Sequence, residues 1–198
     1  MYARVVMFTG ASKIDEGVDY LRDVVTPILR QQKGYRGTFG SADRNQGTFG
    51  VLTLWESEAD RDASDSALAK VRDEAVRITG GTLNIELYEA VLQDAVGPPS
   101  TGAALLLRRV SMEPGRVTEN LEFFSREILP QIQQEPGYLA TRQMINRQTG
   151  EGVVSTVWKD AASRRAAAES AVRRQQQSAG RVTFGEQSER EVVFVDVP

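Results

Sequence analysis

Four side chains in this 198-residue sequence stand out for the chemistry they could do. They are Trp55 and Trp158, the chain's two tryptophans, and Arg61 and Arg164, each six residues further on. An indole offers a flat stacking face and one N–H donor, so either tryptophan could hold an aromatic ring. A guanidinium near a helix start could pair with a phenolate or a carboxylate. Each pair also has a structural alternative: the tryptophans as core residues sealing a strand-to-helix corner, the arginines as surface ion pairs. Tyr35 and Tyr138 follow glycines that end helices and read as packing anchors. Met7, Met112 and Met144 read as core filler.

What is missing narrows the chemistry further. The chain has no histidine, which removes the commonest general base and the commonest metal ligand. It has no cysteine, so it has no disulfide, no thiolate nucleophile and no zinc–cysteine site. No carboxylate pair has metal-ligand spacing, and Gly80-Gly81 lacks the context of a phosphate-binding loop. Neither a metal nor a cofactor is expected. The net charge of −3 gives no reason to expect nucleic acid as a partner. Its densest basic stretch, Arg164 to Arg174, is interrupted by Ala166, Ala167, Ala168 and Glu169, as on a solvated helix face. No run approaches the length of a membrane span, and Met1 to Thr9 reads as a strand and not as a leader. A cytoplasmic protein without a membrane partner is the simplest expectation.

The elements that position these residues occur twice. An offset of 103 sets Pro27 over Pro130, Gly34-Tyr35 over Gly137-Tyr138, Gly47 over Gly150 and Val51 over Val154. The same offset sets Trp55 over Trp158, Arg61 over Arg164 and Ala63 over Ala166. A proline, two glycines, a tyrosine and both tryptophans falling into one register is the signature of a duplicated unit.

Each copy reads βαββαβ. In the first, Ala3 to Thr9 is a strand. Val18, Leu21, Val25 and Ile28 then fall on one helix face, and Gly34 stops that helix. Pro27 should kink the helix or mark its last turns. Tyr35 to Ala42 and Phe49 to Trp55 form a hairpin around a polar turn. Ser57 to Asp60 resembles a capping box opening one helix to about Ile78, and Asn84 to Leu92 is the last strand. The second copy repeats this with Ala104 to Ser111, a helix through Val117, Leu121, Phe124, Ile128 and Ile132, and Tyr138 to Ile145. Val153 to Trp158, an alanine-rich helix from Ala161 to about Ser178, and Glu191 to Val197 complete it. The expected organisation is an α+β chain: a ferredoxin-like repeat over 1–93, a linker over 94–102 containing Gly97-Pro98-Pro99-Ser100, and a second repeat over 103–198. A single such unit leaves one sheet face bare. Two in one chain are expected to cover that face by forming an intrachain pseudo-dimeric α/β barrel, with a further homodimer left open.

Two motif pairs carry a resemblance. Lys33-Gly34-Tyr35 matches Glu135-Pro136-Gly137-Tyr138, and Leu54-Trp55-Glu56-Ser57-Glu58-Ala59 matches Val157-Trp158-Lys159-Asp160-Ala161-Ala162. With these the whole chain resembles tandem antibiotic-biosynthesis-monooxygenase-like domains of the dimeric α/β-barrel superfamily. The resemblance implies a pocket between sheet and helices in each half. It also implies an activity: cofactor-independent oxidation of a phenolic or polycyclic aromatic molecule. Where phenol-oxidising relatives carry an Asn on the tryptophan strand and a Tyr early in the next helix, this chain has Val51 and Val154, then Arg61 and Arg164. Haem-degrading relatives use an Asn on the first strand and a histidine. Here Thr9 and Ser111 lie near the first place, and only Tyr or Met remains as an axial ligand.

Two functions therefore stand side by side. One is a monooxygenase in which Arg61 or Arg164 stabilises a substrate anion beside Trp55 or Trp158. The other is a non-catalytic or stress-type barrel that sequesters a small apolar molecule. The copies are unequal, since Leu68, Val71 and Ile78 have weaker apolar counterparts in the second alanine-rich helix. One half should keep a working pocket, and the residues do not say which.

Overall fold

In the computed structural model, residues 1–97 and 100–197 are described. Pro98 and Pro99 of the expected linker, and the terminal Pro198, lie outside them. Among the described residues the strands are β1 (Tyr2–Thr9), β2 (Tyr35–Asp43), β3 (Thr48–Trp55), β4 (Thr82–Ala95), β5 (Ala104–Ser111), β6 (Tyr138–Ile145), β7 (Glu151–Trp158) and β8 (Thr183–Asp196). The helices are α1 (Ile14–Tyr20), α2 (Thr26–Arg30), α3 (Glu58–Ala63), α4 (Asp65–Thr79), α5 (Val117–Phe123), α6 (Leu129–Gln133), α7 (Ala161–Ala166) and α8 (Ala168–Gln177). The βαββαβ order thus occurs twice. The hydrogen-bonded strand order, β1-β3-β2-β8-β5-β7-β6-β4, closes on itself as a barrel.

The last strand of each copy is longer than its apolar pattern suggested. β4 runs on through Asp94 and Ala95, and β8 begins at Thr183, before the expected Glu191. Polar residues in the added stretches, such as Asp94 in β4 and Glu186, Gln187 and Ser188 in β8, hid these extensions from a reading based on apolar alternation. The chain divides into two compact units, Met1–Tyr88 with Glu191–Pro198, and Glu89–Arg190. In the first unit, the C-terminal half of β8 pairs antiparallel with β2, from Ala42↔Glu191 to Thr38↔Asp196. In the second, the C-terminal half of β4 pairs with β6, from Glu89↔Ile145 to Ala95↔Ala140.

In both units the first long helix is widened ahead of its proline. Leu21–Val25 and Phe124–Ile128 are π-helical turns. The N–H of Thr26 reaches back to the Leu21 carbonyl, and that of Leu129 to Phe124, before Pro27 and Pro130 withdraw a donor. The helices end three residues beyond the prolines, at Arg30 and Gln133.

The second long helix departs from expectation by breaking for one residue, at Ser64 and again at Ala167. Because the break recurs where no hydroxyl is present, it belongs to the repeat's backbone geometry and not to serine chemistry. Its start is capped in both copies: the Ser57 hydroxyl accepts from the Asp60 N–H at 3.0 Å, and the Asp160 carboxylate from the Ser163 N–H at 2.7 Å.

Candidate functional site

The four candidate residues are placed very differently by the two units. In the first, Trp55 is fully buried with Leu29, Tyr35 and Leu68. Its indole N–H donates to Thr53 Oγ1 at 3.0 Å, and Tyr35 meets its ring edge-on at 5.9 Å. Arg61 is buried too, with its Nε on Asp62 at 2.8 Å, an Nη on Glu58 at 3.0 Å and its guanidinium over the Tyr2 ring. Neither Trp55 nor Arg61 lines the small void of about 50 Å³ in this unit.

Arg4 is the reason that void is small. It projects from β1 opposite Thr53, is almost fully buried, and lies 6.0 Å from the centre of the Trp55 ring. One Nη donates to Ser64 Oγ at 2.9 Å; the other donates to the Arg61 carbonyl at 2.7 Å and lies 3.4 Å from Asp65. Burial lowers its basicity, and the neighbouring Asp65 carboxylate works against that loss. The guanidinium thus takes the space between sheet and helices that the resemblance would assign to a ligand.

In the second unit every one of those groups is smaller or apolar. Leu106 faces Thr156 in the register that Arg4 has with Thr53. Ala167, Ala168 and Ala171 stand at the places of Ser64, Asp65 and Leu68. The result is a cavity of about 370 Å³, lined by Leu106, Val110, Phe123, Phe124, Ile128, Ile132, Ile145, Val154 and Trp158. This size suits a small ligand, and the lining is mainly hydrophobic with a few polar groups, as in many such sites. The alanine-rich helix therefore makes room; it does not collapse.

Trp158 and Arg164 meet in this cavity. The Trp158 N–H donates to Thr156 Oγ1 at 3.1 Å, and Tyr138 packs edge-on at 6.0 Å, repeating the first unit. Arg164 is largely buried and pairs with Glu189 through one Nη, while its Nε has no partner among the described residues. Arg108, Arg165 and Arg174 also line the cavity, against the single carboxylate of Glu189. Arg174 is held by Glu135 at 2.8 Å. Burial disfavours the Glu135 carboxylate, but hydrogen bonds from Arg174 and Ser170 hold it below its usual range. The lining is net positive and suits an anionic oxygen.

The tyrosines are structural. The Tyr138 hydroxyl donates to Asp94 at 2.6 Å, and that of Tyr35 to Asp196 at 2.8 Å. Burial is the main cause that pushes both phenols above their ordinary value; the bonds to the aspartates add to it, and the Thr38 hydroxyl works against it at Tyr35. Neither lines either cavity.

Among the cavity residues that escaped the sequence reading are Arg108, Glu189, Asn120, Gln143 and Phe184. Asn120 left a trace. It sits three residues after Val117 and four before Phe124, so it is a polar residue on a stripe that should be apolar. Its counterpart in the first copy is Gly17.

No family model matches the chain. Two uncharacterized proteins of Mycobacterium tuberculosis H37Rv are similar to it. One is 27% identical over 159 residues, covering 80% of this chain and 71% of the relative. The other is 26% identical over 142 residues, covering 72% and 60%. Among solved structures, a proposed monooxygenase from Fusobacterium nucleatum superposes with a TM-score of 0.71 at 17% identity, over 99% of this chain and 94% of that one. An anthrone oxidase-like protein gives 0.67 at 14% identity, over 99% and 92%. A ferredoxin-fold protein of Listeria monocytogenes related to antibiotic biosynthesis monooxygenases gives 0.52 at 12%, over 97% and 95%. The resemblance read from the paired motifs thus holds across the whole chain at the level of fold. No helix among the described residues is long and apolar enough to cross a membrane.

Proposed function

We propose that the second repeat is a cofactor-free monooxygenase site for a flat phenolic or polycyclic aromatic molecule, and that the first repeat is its structural partner. The observation that carries this reading is the cavity of about 370 Å³ with Trp158 in its wall and an excess of arginine over carboxylate around it. The likeness in fold to an anthrone oxidase-like protein supports the same class of chemistry. Apolar walls bind the rings, and the positive lining lowers the pKa of a phenol or enol so that it binds as its anion, the proton leaving to solvent. The anion passes one electron to dioxygen, the two radicals combine at carbon, the resulting peroxide takes back a proton from solvent, and loss of water leaves a carbonyl. In sum, a CH₂ and O₂ become C=O and H₂O. Arg164 acts here as an electrostatic stabiliser, not as a base.

The experiment is oxygen uptake with anthrone. Uptake well above the rate of anthrone alone, and reduced about tenfold or more in Arg164→Gln, is the expected result. A rate no faster than autoxidation overturns the oxidase reading. It leaves the second one, a non-catalytic barrel that sequesters the same class of molecule. What favours that second reading is that the hydrogen-bonding groups of Trp158 and Tyr138 are already engaged, and Arg164 already has Glu189.

A further inference from the structure

Asn120 projects from α5 into the cavity wall and is 4% exposed. Its Nδ2 donates to the Arg181 carbonyl at 3.0 Å, which fixes which end of the amide is which. Arg181 is itself held, with its guanidinium 4.5 Å from the centre of the Phe123 ring and an Nη on Glu119 at 2.6 Å. The amide therefore cannot turn over without giving up that bond. Its Oδ1 is buried with no hydrogen-bond partner among the described residues. Buried acceptors in folded proteins are nearly always satisfied, so an orphaned one on a residue that lines a cavity calls for a donor from a ligand there.

The other copy shows that nothing in the repeat itself requires an amide here. Gly17 holds the equivalent place, and a Cβ there would lie 2.5 Å from Thr79 Cγ2, so the first unit has no space for any side chain. The asparagine accompanies the cavity.

Resting on the aromatic-ligand reading above, we infer that Asn120 is a specificity-determining residue: its Oδ1 accepts a hydrogen bond from a hydroxyl or N–H carried on the aromatic ligand. The unpartnered Nε of Arg164 supplies the complementary donor, for a carbonyl or phenolate oxygen. Together they select a ring system that carries both a donor and an acceptor, such as a hydroxylated aromatic ketone or quinone, over a bare hydrocarbon or an ether.

The test compares 2,6-dihydroxynaphthalene with 6-methoxy-2-naphthol, which keeps one phenol for Arg164 but has no second hydroxyl to donate. Calorimetric titration of the full chain should show the diol binding about tenfold tighter, as expected when an acceptor would otherwise stay unpaired. In Asn120→Leu that preference should shrink to twofold or less, with 6-methoxy-2-naphthol still bound, which shows that the cavity is intact. Equal affinities in the wild-type protein, or a preference that survives in Asn120→Leu, would overturn the role of Asn120 while leaving the cavity reading in place. Binding of neither compound to the wild type would overturn both. The wild-type comparison stands even where the variant fails to fold.

Discussion

Arg4 donates to Ser64 Oγ at 2.9 Å, and through that contact the first repeat closes over the space that the second repeat keeps open. Both copies retain the tryptophan, its threonine acceptor and the edge-on tyrosine. They differ in what stands against the tryptophan: a tethered guanidinium in one, Leu106 and three alanines in the other. The shared motifs hold the strand-to-helix corner, and the departures from them decide whether the corner has a cavity beside it.

Replacing Arg4 tests its role as a filler. Arg4→Ala removes a buried side chain whose acidic partner, Asp65, is mostly exposed and stays hydrated. The cost is therefore mainly packing and cavity formation, expected at about 2 to 4 kcal/mol. Arg4→Leu, which restores volume with the residue type found at 106, should cost at least about 1 kcal/mol less. Urea denaturation of the two variants against wild type measures both. Equal stability of Arg4→Ala and wild type would show that the guanidinium supports nothing.

Much of this was legible from residues alone. The register of Pro27, Gly34, Tyr35 and Trp55 with Pro130, Gly137, Tyr138 and Trp158 sufficed to place both sets of strands and helices. It could not show how long β4 and β8 are, because their added residues, such as Glu186, Gln187 and Ser188, are polar and carry no alternation. Nor could it show which half holds the cavity. Arg4 drew no notice in the sequence, since only its distant contacts to Ser64 and Asp65 make its burial tolerable. Asn120 could have been noticed as a polar break in an apolar stripe, but its unpaired oxygen is a property of the folded cavity.

Acid should separate Asp196 from an uncharged replacement. The hydrogen bond from Arg30 lowers its carboxyl below the ordinary value; burial opposes this, and the bond from the Tyr35 hydroxyl adds to it. A carboxyl depressed on folding contributes stability above its unfolded value, near pH 4, and loses it as pH falls through the folded value. Arg30 is more than half exposed, so its share is discounted, leaving a total of about 1 kcal/mol. Asp196→Asn should therefore be less stable than wild type at pH 7, and the gap should close below about pH 4. An equal gap at pH 7 and pH 2.5 would remove the carboxylate's charge from the account.

The most direct test of the central claim is a calorimetric titration of 2-naphthol into the wild-type chain and into Ala171→Leu. Leu68 holds the equivalent position in the closed repeat, so the added side chain is placed to fill the cavity. Wild type should bind one molecule per chain. Ala171→Leu should bind at least tenfold more weakly while keeping its stability or gaining about 1 kcal/mol, as cavity-filling substitutions commonly do. Unchanged affinity in a folded Ala171→Leu, or two equivalent sites per chain, would contradict the assignment of the working site to the second repeat.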